Sequence, residues 1–306
     1  MRYTQGNQGS ATILMMLMAA VIVTVGIGFD WLVKEYIKSS EGLKNKAEAI
    51  LKARSAYDTI IYLMLNGRPA QKEIVVSGGA EISGLKTLPL DGQEASLTDD
   101  VYVRIQDSNG MLSLANINGT AMERLIRKIG GLTNASGQIN SILDWIDTDD
   151  LSRINGAEAF YYRGEGLLYT PRNYPLQYKD ETEFIKGIGP ELYGKIQPYL
   201  TMLPATGFNP NTASDEVLMA YLDINEESLK ALKDYMAEKA IVSDTELFAL
   251  TGRRITSEEG IYFFPSVFVD ITVTVGRPKS LYTIKIGLDM RQKTYFPYSV
   301  VYWREE

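Results

Sequence analysis

The chain has 306 residues, 45% of them hydrophobic, with a formal net charge of −7 and neither cysteine nor histidine. Disulfide frameworks, thiolate nucleophiles, histidine bases and Cys/His zinc sites are therefore excluded. The acidic balance disfavours a nucleic-acid partner, whose phosphates require clustered lysine and arginine. The length is enough for one full hydrophobic core or two.

From Ala11 to Phe29 no side chain is charged, and only Thr12 and Thr24 are polar. This is close to the ~20 apolar residues an α-helix needs to cross ~30 Å of hydrocarbon. A cleaved secretory signal has a shorter apolar core, ~7–15 residues, followed by a small-x-small site. Here the small pair Ala19-Ala20 sits in the middle of the run. Beyond Trp31, apolar or small residues recur at Leu43, Ala47, Ile50, Ala53, Tyr57 and Ile60. That spacing predicts an amphipathic helix continuing to about Leu65, ended by the breakers in Asn66-Gly67-Arg68-Pro69.

"KEIVVSG" (Lys72–Gly78) and "VYVRIQDSNGMLSLANIN" (Val101–Asn118) then cluster β-formers, and Asn109-Gly110 predicts a hairpin between two strands. From Gly119 the texture turns helical, in segments such as "TAMERLIRKIGG", "SGQINSILDWID", "TASDEVLMAYL" and "SDTELFALTG", several opened by a Ser, Thr or Asp cap. At Ile261 it reverts to strands. The expected fold class is α+β: a long N-terminal helix packed on an antiparallel sheet, with a large all-α domain inserted between strands. Two tandem domains would leave the last strands without partners.

"DWIDTDD" (Asp144–Asp150) is the densest run of carboxylates. Asp144 and Asp147 would share a helix face, with Trp145 and Ile146 turned inward. Asp149 and Asp150 would fall at a helix C-terminus, where negative charge opposes the macrodipole. A hard cation is one resolution, since Ca²⁺ takes 6–8 oxygen ligands, and Glu158 of "NGAEAFYY" is placed to return as a further one. The other resolution is a solvated acidic turn, and no EF-hand register is present.

"FIKGIGPELYGKIQPYL" (Phe184–Leu200) has the form of a helix-hairpin-helix, with Gly187 and Gly189 for the turn and Pro190 opening the second helix. A second unit follows, with Asp223-Ile224-Asn225 at the turn. Such hairpins bind DNA elsewhere. Yet between Thr206 and Gly252 nine acidic side chains face three basic ones, which favours packing or protein contact.

A polar leader ending in Gly9, a small residue, then an apolar helix running into an amphipathic one resembles the type IV pilin and pseudopilin signal. The resemblance implies that prepilin peptidase cuts between Gly9 and Ser10 and that the new terminus is methylated. The fifth residue after that cut is Leu14, where ordinary subunits carry glutamate. "DWIDTDD…GAEAFYY…PRNYPLQYKDETEFIKGIG" is similar to the K-type minor pseudopilins of type II secretion. That family implies a protein of the inner membrane, not an enzyme, with its globular part in the periplasm. It would cap a pseudopilus that exports folded proteins, with I- and J-type minor pseudopilins and the major pseudopilin as partners and no nucleic acid. It also implies structural Ca²⁺, for which Asp147, Asp149, Asp150 and Glu158 are the candidate ligands. The corresponding organisation is a leader (1–9), a transmembrane helix (10–33), a first pilin-like part (34–118), an inserted helical domain (119–257) and C-terminal strands (258–306). A DNA-uptake pilus using the hairpins is the alternative, and a membrane-anchored hydrolase built on the Asp cluster lacks a paired base.

Overall fold

The computed structural model describes residues 8–76, 85–255, 261–276, 280–292 and 294–306. Helix α1 runs from Gln8 to Asn66. The chain divides into two compact units, residues 1–52 and 53–306. In the first, the apolar side chains from Ile13 to Val33 are exposed. The helix is long and apolar enough there to cross a membrane. Residues 1–7 of the expected leader lie outside the described residues, while Ser10 is helical.

In the second unit the final turns of α1 bury Ile60 and Leu63. Tyr57 meets Trp303 edge-on at 5.1 Å and shares a hydroxyl–hydroxyl hydrogen bond with Tyr298 at 3.2 Å. The helix stops at Asn66, where expected, and glycine is needed at the next position, because a Cβ on Gly67 would collide with Ile74 and with the carbonyl of Leu63. A short antiparallel sheet follows, of β1 (Arg68–Pro69), β2 (Glu73–Val75) and β3 (Thr87–Pro89). Of the expected strand at Lys72–Gly78, Glu73–Val75 form β2, and residues 77 and 78 lie outside the described residues.

The main sheet contains β4 (Asp91–Thr98), β5 (Val101–Asp107), β10 (Phe268–Val275), β11 (Tyr282–Asp289) and β12 (Ser299–Glu305). It is antiparallel throughout, in the order β12-β11-β10-β5-β4. Val101, Val103 and Ile105 of β5 are buried, as are Ile271, Val273 and Val275 of β10, and these sit in register as Val101↔Val275, Val103↔Val273 and Ile105↔Ile271. This is the period-two alternation of a half-buried strand.

Between β5 and β10 in the chain lie two short parallel ladders, β6 (Leu112–Ser113) with β7 (Leu200–Thr201) and β8 (Gly207–Phe208) with β9 (Ile261–Tyr262). The helices α2 (Gly119–Gly130), α3 (Ser136–Ile146), α4 (Ala159–Gly164), α5 (Gly189–Ile196), α6 (Asp215–Leu222), α7 (Glu226–Glu238) and α8 (Asp244–Thr251) occupy the same stretch. Side chains of Asn118, Ser214, Asn225 and Ser243 cap the first turns of α2, α6, α7 and α8. Gly131 and Gly252 close α2 and α8 in the left-handed conformation. Met122, Leu125, Ile142, Leu218, Leu232 and Leu247 converge in one buried cluster.

The expected hairpin at Asn109-Gly110 is not formed. Ser108–Gly110 is a buried single turn of 3-10 helix, and β5 pairs with β4 and β10 instead of with β6. Tertiary demand outweighs the local signal. Asn109 receives the N–H groups of Asn209 and Thr206, both at 2.9 Å, and a Cβ on Gly110 would lie 2.5 Å from the carbonyl oxygen of Thr212. The first helix-hairpin-helix also differs from expectation. Its leading element is a 3-10 helix, Lys179–Phe184, before Gly187 and Gly189, both at positive φ. In the second, Asp223 turns the chain at φ 55°.

Candidate functional site

Helix α3 ends at Ile146 and Asp147 is already extended, so the acidic run leaves the helix before its dipole can oppose it. Asp144, which the helical spacing pairs with Asp147 on an outward face, is instead fully buried beside Trp145. The return segment brings Glu158, 2% exposed, to the same place as the residue preceding α4. One oxygen each from Asp144, Asp147 and Glu158 lies within 4.8 Å of the others. Like charges at that separation repel by roughly 3–4 kcal/mol per pair at an effective dielectric near 20.

Arg153 supplies part of the compensation. Its Nη1 donates to Asp144 Oδ1 at 2.7 Å and also to Asp147 Oδ2, while its backbone N–H meets Asp144 Oδ2 at 3.2 Å. The hydrogen bonds to Asp147 and then Asp144 raise the affinity of its guanidinium for the proton. Glu158 receives nothing: both its carboxylate oxygens are buried without a hydrogen-bond partner, as is Asp147 Oδ1. Burial first, then the charges of Asp144, Asp147, Asp150 and Asp149, push the Glu158 carboxyl up to about 7.

The loop around these groups is held from outside. Asn140 donates to the carbonyl of Ile154 at 2.8 Å, and Lys186 Nζ to that of Gly156 at 3.0 Å. Gly156 is required, because a Cβ there would overlap the Asp144 carboxylate. Trp145 packs edge-on against Tyr162 at 5.4 Å beneath the cluster.

Of the four sequence-predicted ligands, Asp147 and Glu158 converge. Asp149 and Asp150 are exposed and bond locally, Asp149 Oδ1 to the N–H of Leu151 at 2.8 Å and Asp150 Oδ1 to the amide of Asn173 at 3.0 Å. Asp144 was read as part of the acidic run but not as a candidate ligand, and Arg153 and Asn173 were not singled out from sequence. Asn173 adopts φ 52°, bonds the carbonyl of Trp145 through its N–H, and buries an Oδ1 that has no partner. The Pro-x-Asn-x-Pro spacing around it was the available signal.

The donor set is three carboxylates, of which Asp147 and Glu158 carry buried oxygens without a hydrogen-bond partner. Ca²⁺ bonds oxygen at 2.3–2.6 Å, so ligand oxygens on opposite sides of it lie up to about 5 Å apart. The residues fit a hard divalent cation, which would supply the two positive charges that a single guanidinium does not.

Residues 98–205, which run from the end of β4 past the acidic cluster to beyond β7, match the family described as type II secretion system (T2SS), protein K. The type II secretion system protein K of Pectobacterium carotovorum is 26% identical over 169 residues, and that of Klebsiella pneumoniae 27% over 127. These alignments cover 50% and 37% of this chain and 50% and 39% of the relatives, so the chain spans about half the length of the curated relatives it matches, or less. A chain in the crystal structure of the GspK–GspI–GspJ complex of the enterotoxigenic Escherichia coli type 2 secretion system superposes with a TM-score of 0.53 at 17% identity. The superposition covers 90% of this chain and 99% of that one and shows a shared fold. Residues 98–205 thus form a domain similar to that of type II secretion system protein K, and the relatives that align with the chain carry the same description.

Proposed function

We propose that this chain is a minor pseudopilin that caps the tip of a type II secretion pseudopilus and so supports export of folded proteins across the outer membrane. The observation that carries this reading is the pairing of a membrane-length helix near the N-terminus with a protein K domain over residues 98–205. The apolar helix anchors the chain in the inner membrane, and residues 53–306 stand in the periplasm. Prepilin peptidase removes the leader after Gly9. Its partners are I- and J-type minor pseudopilins, by analogy with the GspK–GspI–GspJ complex that shares its fold, and the major pseudopilin lies below. The helical block at 119–257 suits the tip, where no subunit stacks above it. The role has no catalytic step.

The same reading includes a structural Ca²⁺ held by Asp144, Asp147 and Glu158, with Asp149 and Asp150 as further candidates from the same loop. The orphaned oxygens of Glu158 support it. The ion would tie the end of α3 to the start of α4 and relieve the repulsion among the carboxylates. The DNA-uptake alternative is not favoured, because the turn residue Asp223 is already engaged by Arg124 and Arg253 and its surroundings are acidic.

The test is co-expression of the full-length chain with I- and J-type partners, extraction in detergent and native mass measurement. One copy of each in a single complex is expected. Failure of the three to associate overturns the tip assignment.

A further inference from the structure

The side chain of Arg153 stands where a cation bridging Asp144 and Asp147 would stand. A single nitrogen, Nη1, bonds an oxygen of each carboxylate. An ion bridging the two carboxylates needs that same point, and two positive centres in one low-dielectric space repel strongly. The two cations are therefore alternatives. Arg153 has a way out: it sits on the loop between α3 and α4, outside any helix or strand, and its side chain is 39% exposed. Asp144 has none, being fully buried and seated against Gly156. A buried carboxylate with no counter-charge is among the most destabilising single features a fold can carry.

We propose that Arg153 is a tethered counter-ion that competes with the divalent cation for Asp144 and Asp147, holding the loop in its folded form before the cation arrives and swinging into solvent when it binds. This rests on the cation reading under the proposed function. It separates Arg153 from an ordinary structural ion pair, because its contribution to stability should exist only while the cation is absent. It also accounts for the unequal treatment of the cluster. One guanidinium bonds an oxygen of each aspartate and leaves Asp147 Oδ1 and both oxygens of Glu158 unpartnered, and Glu158 is the group a doubly charged replacement would add to the set.

The experiment measures Ca²⁺ binding by titration calorimetry, and melting temperature in calcium chloride and in chelator, on the full chain in detergent. Wild type, Arg153→Gln and Arg153→Lys are compared. If Arg153 occupies the carboxylates in about nine molecules of ten, removing it should tighten Ca²⁺ binding roughly tenfold. Arg153→Gln should melt well below wild type in chelator and within a degree or two of it in saturating calcium. Arg153→Lys keeps the charge and should bind Ca²⁺ within about twofold of wild type. An Arg153→Gln chain that binds Ca²⁺ no more tightly, that loses the same melting temperature with and without calcium, or that fails to fold even in calcium overturns the proposal. So does an Arg153→Lys chain that tightens as much as Arg153→Gln. If neither wild type nor Arg153→Gln binds Ca²⁺, the cation reading itself falls. If wild type binds and Arg153→Gln is unchanged, only the competition does.

Discussion

The carboxylate of Asp107, at the end of β5, accepts the backbone N–H of Ser266 at 2.8 Å, although 159 positions of sequence separate them. The same oxygen takes the N–H of Asn109 at 3.1 Å, and the other takes the Thr212 hydroxyl at 2.9 Å and the Asn209 amide at 3.2 Å. One buried side chain thus joins the sheet to both ends of the intervening block. Asp107→Ala should leave several buried donors unsatisfied and cost about 3 kcal/mol or more. Urea unfolding of the full chain in detergent, followed by tryptophan fluorescence, would read this as a lowered midpoint.

Glu158 makes stability depend on pH. Its folded value is raised from the ordinary 4.5 to about 7, so the protonated form is favoured in the folded state. The stabilisation is complete below the unfolded value and is lost as pH rises through the folded one. In chelator, melting temperature should fall between about pH 5 and about pH 8, by the equivalent of roughly 2–3 kcal/mol. Glu158→Gln should flatten that dependence. In calcium the trend reverses, because the ion binds only the carboxylate.

Processing gives a covalent test of the leader. Co-expression with a prepilin peptidase should yield a chain beginning at Ser10 with the apolar helix retained. Gly9→Val should leave the leader in place. Intact-mass measurement distinguishes the products, and a start beyond Ala20 would show a conventional secretory signal instead.

Leu14 bears on assembly. Helices in lipid associate through close packing and polar contacts, since lipid tails give them no hydrophobic reason to pair. Without a carboxylate at Leu14, the chain overexpressed alone should form no filaments, and Leu14→Glu should give no gain in secretion. Long filaments of the unaltered chain in electron micrographs would contradict its role as a cap.

What the sequence made legible was local physics. The end of α1 before Gly67 and the caps at Ser214 and Ser243 each depend on a few neighbouring residues. The α+β class followed from the return of strand texture after the helical block. Asn109-Gly110 misled because a hairpin signal assumes that the next strand is the partner, whereas β5 pairs with strands on either side that come from elsewhere in the chain. Asp144 was legible as an acid but not as a buried one. Its burial depends on Gly156 leaving room and on Arg153 supplying charge, and both lie beyond helical spacing. Asn173 stands inside a recognisable motif, yet its role was hidden, because what fixes its amide is the carbonyl of Asp149 and the carboxylate of Asp150, more than twenty residues away.

Asp107 and Val269 face each other across two adjacent strands, so the block between them leaves the sheet and re-enters it one strand spacing apart, about 4.8 Å. A sheet interrupted at such a place keeps its register whatever is looped out. Closing a longer loop costs only about 0.6 kcal/mol for each doubling of its length. The neck of the sheet is therefore independent of the length of the head, and a surface added between β5 and β10 comes at small expense to the fold that carries it.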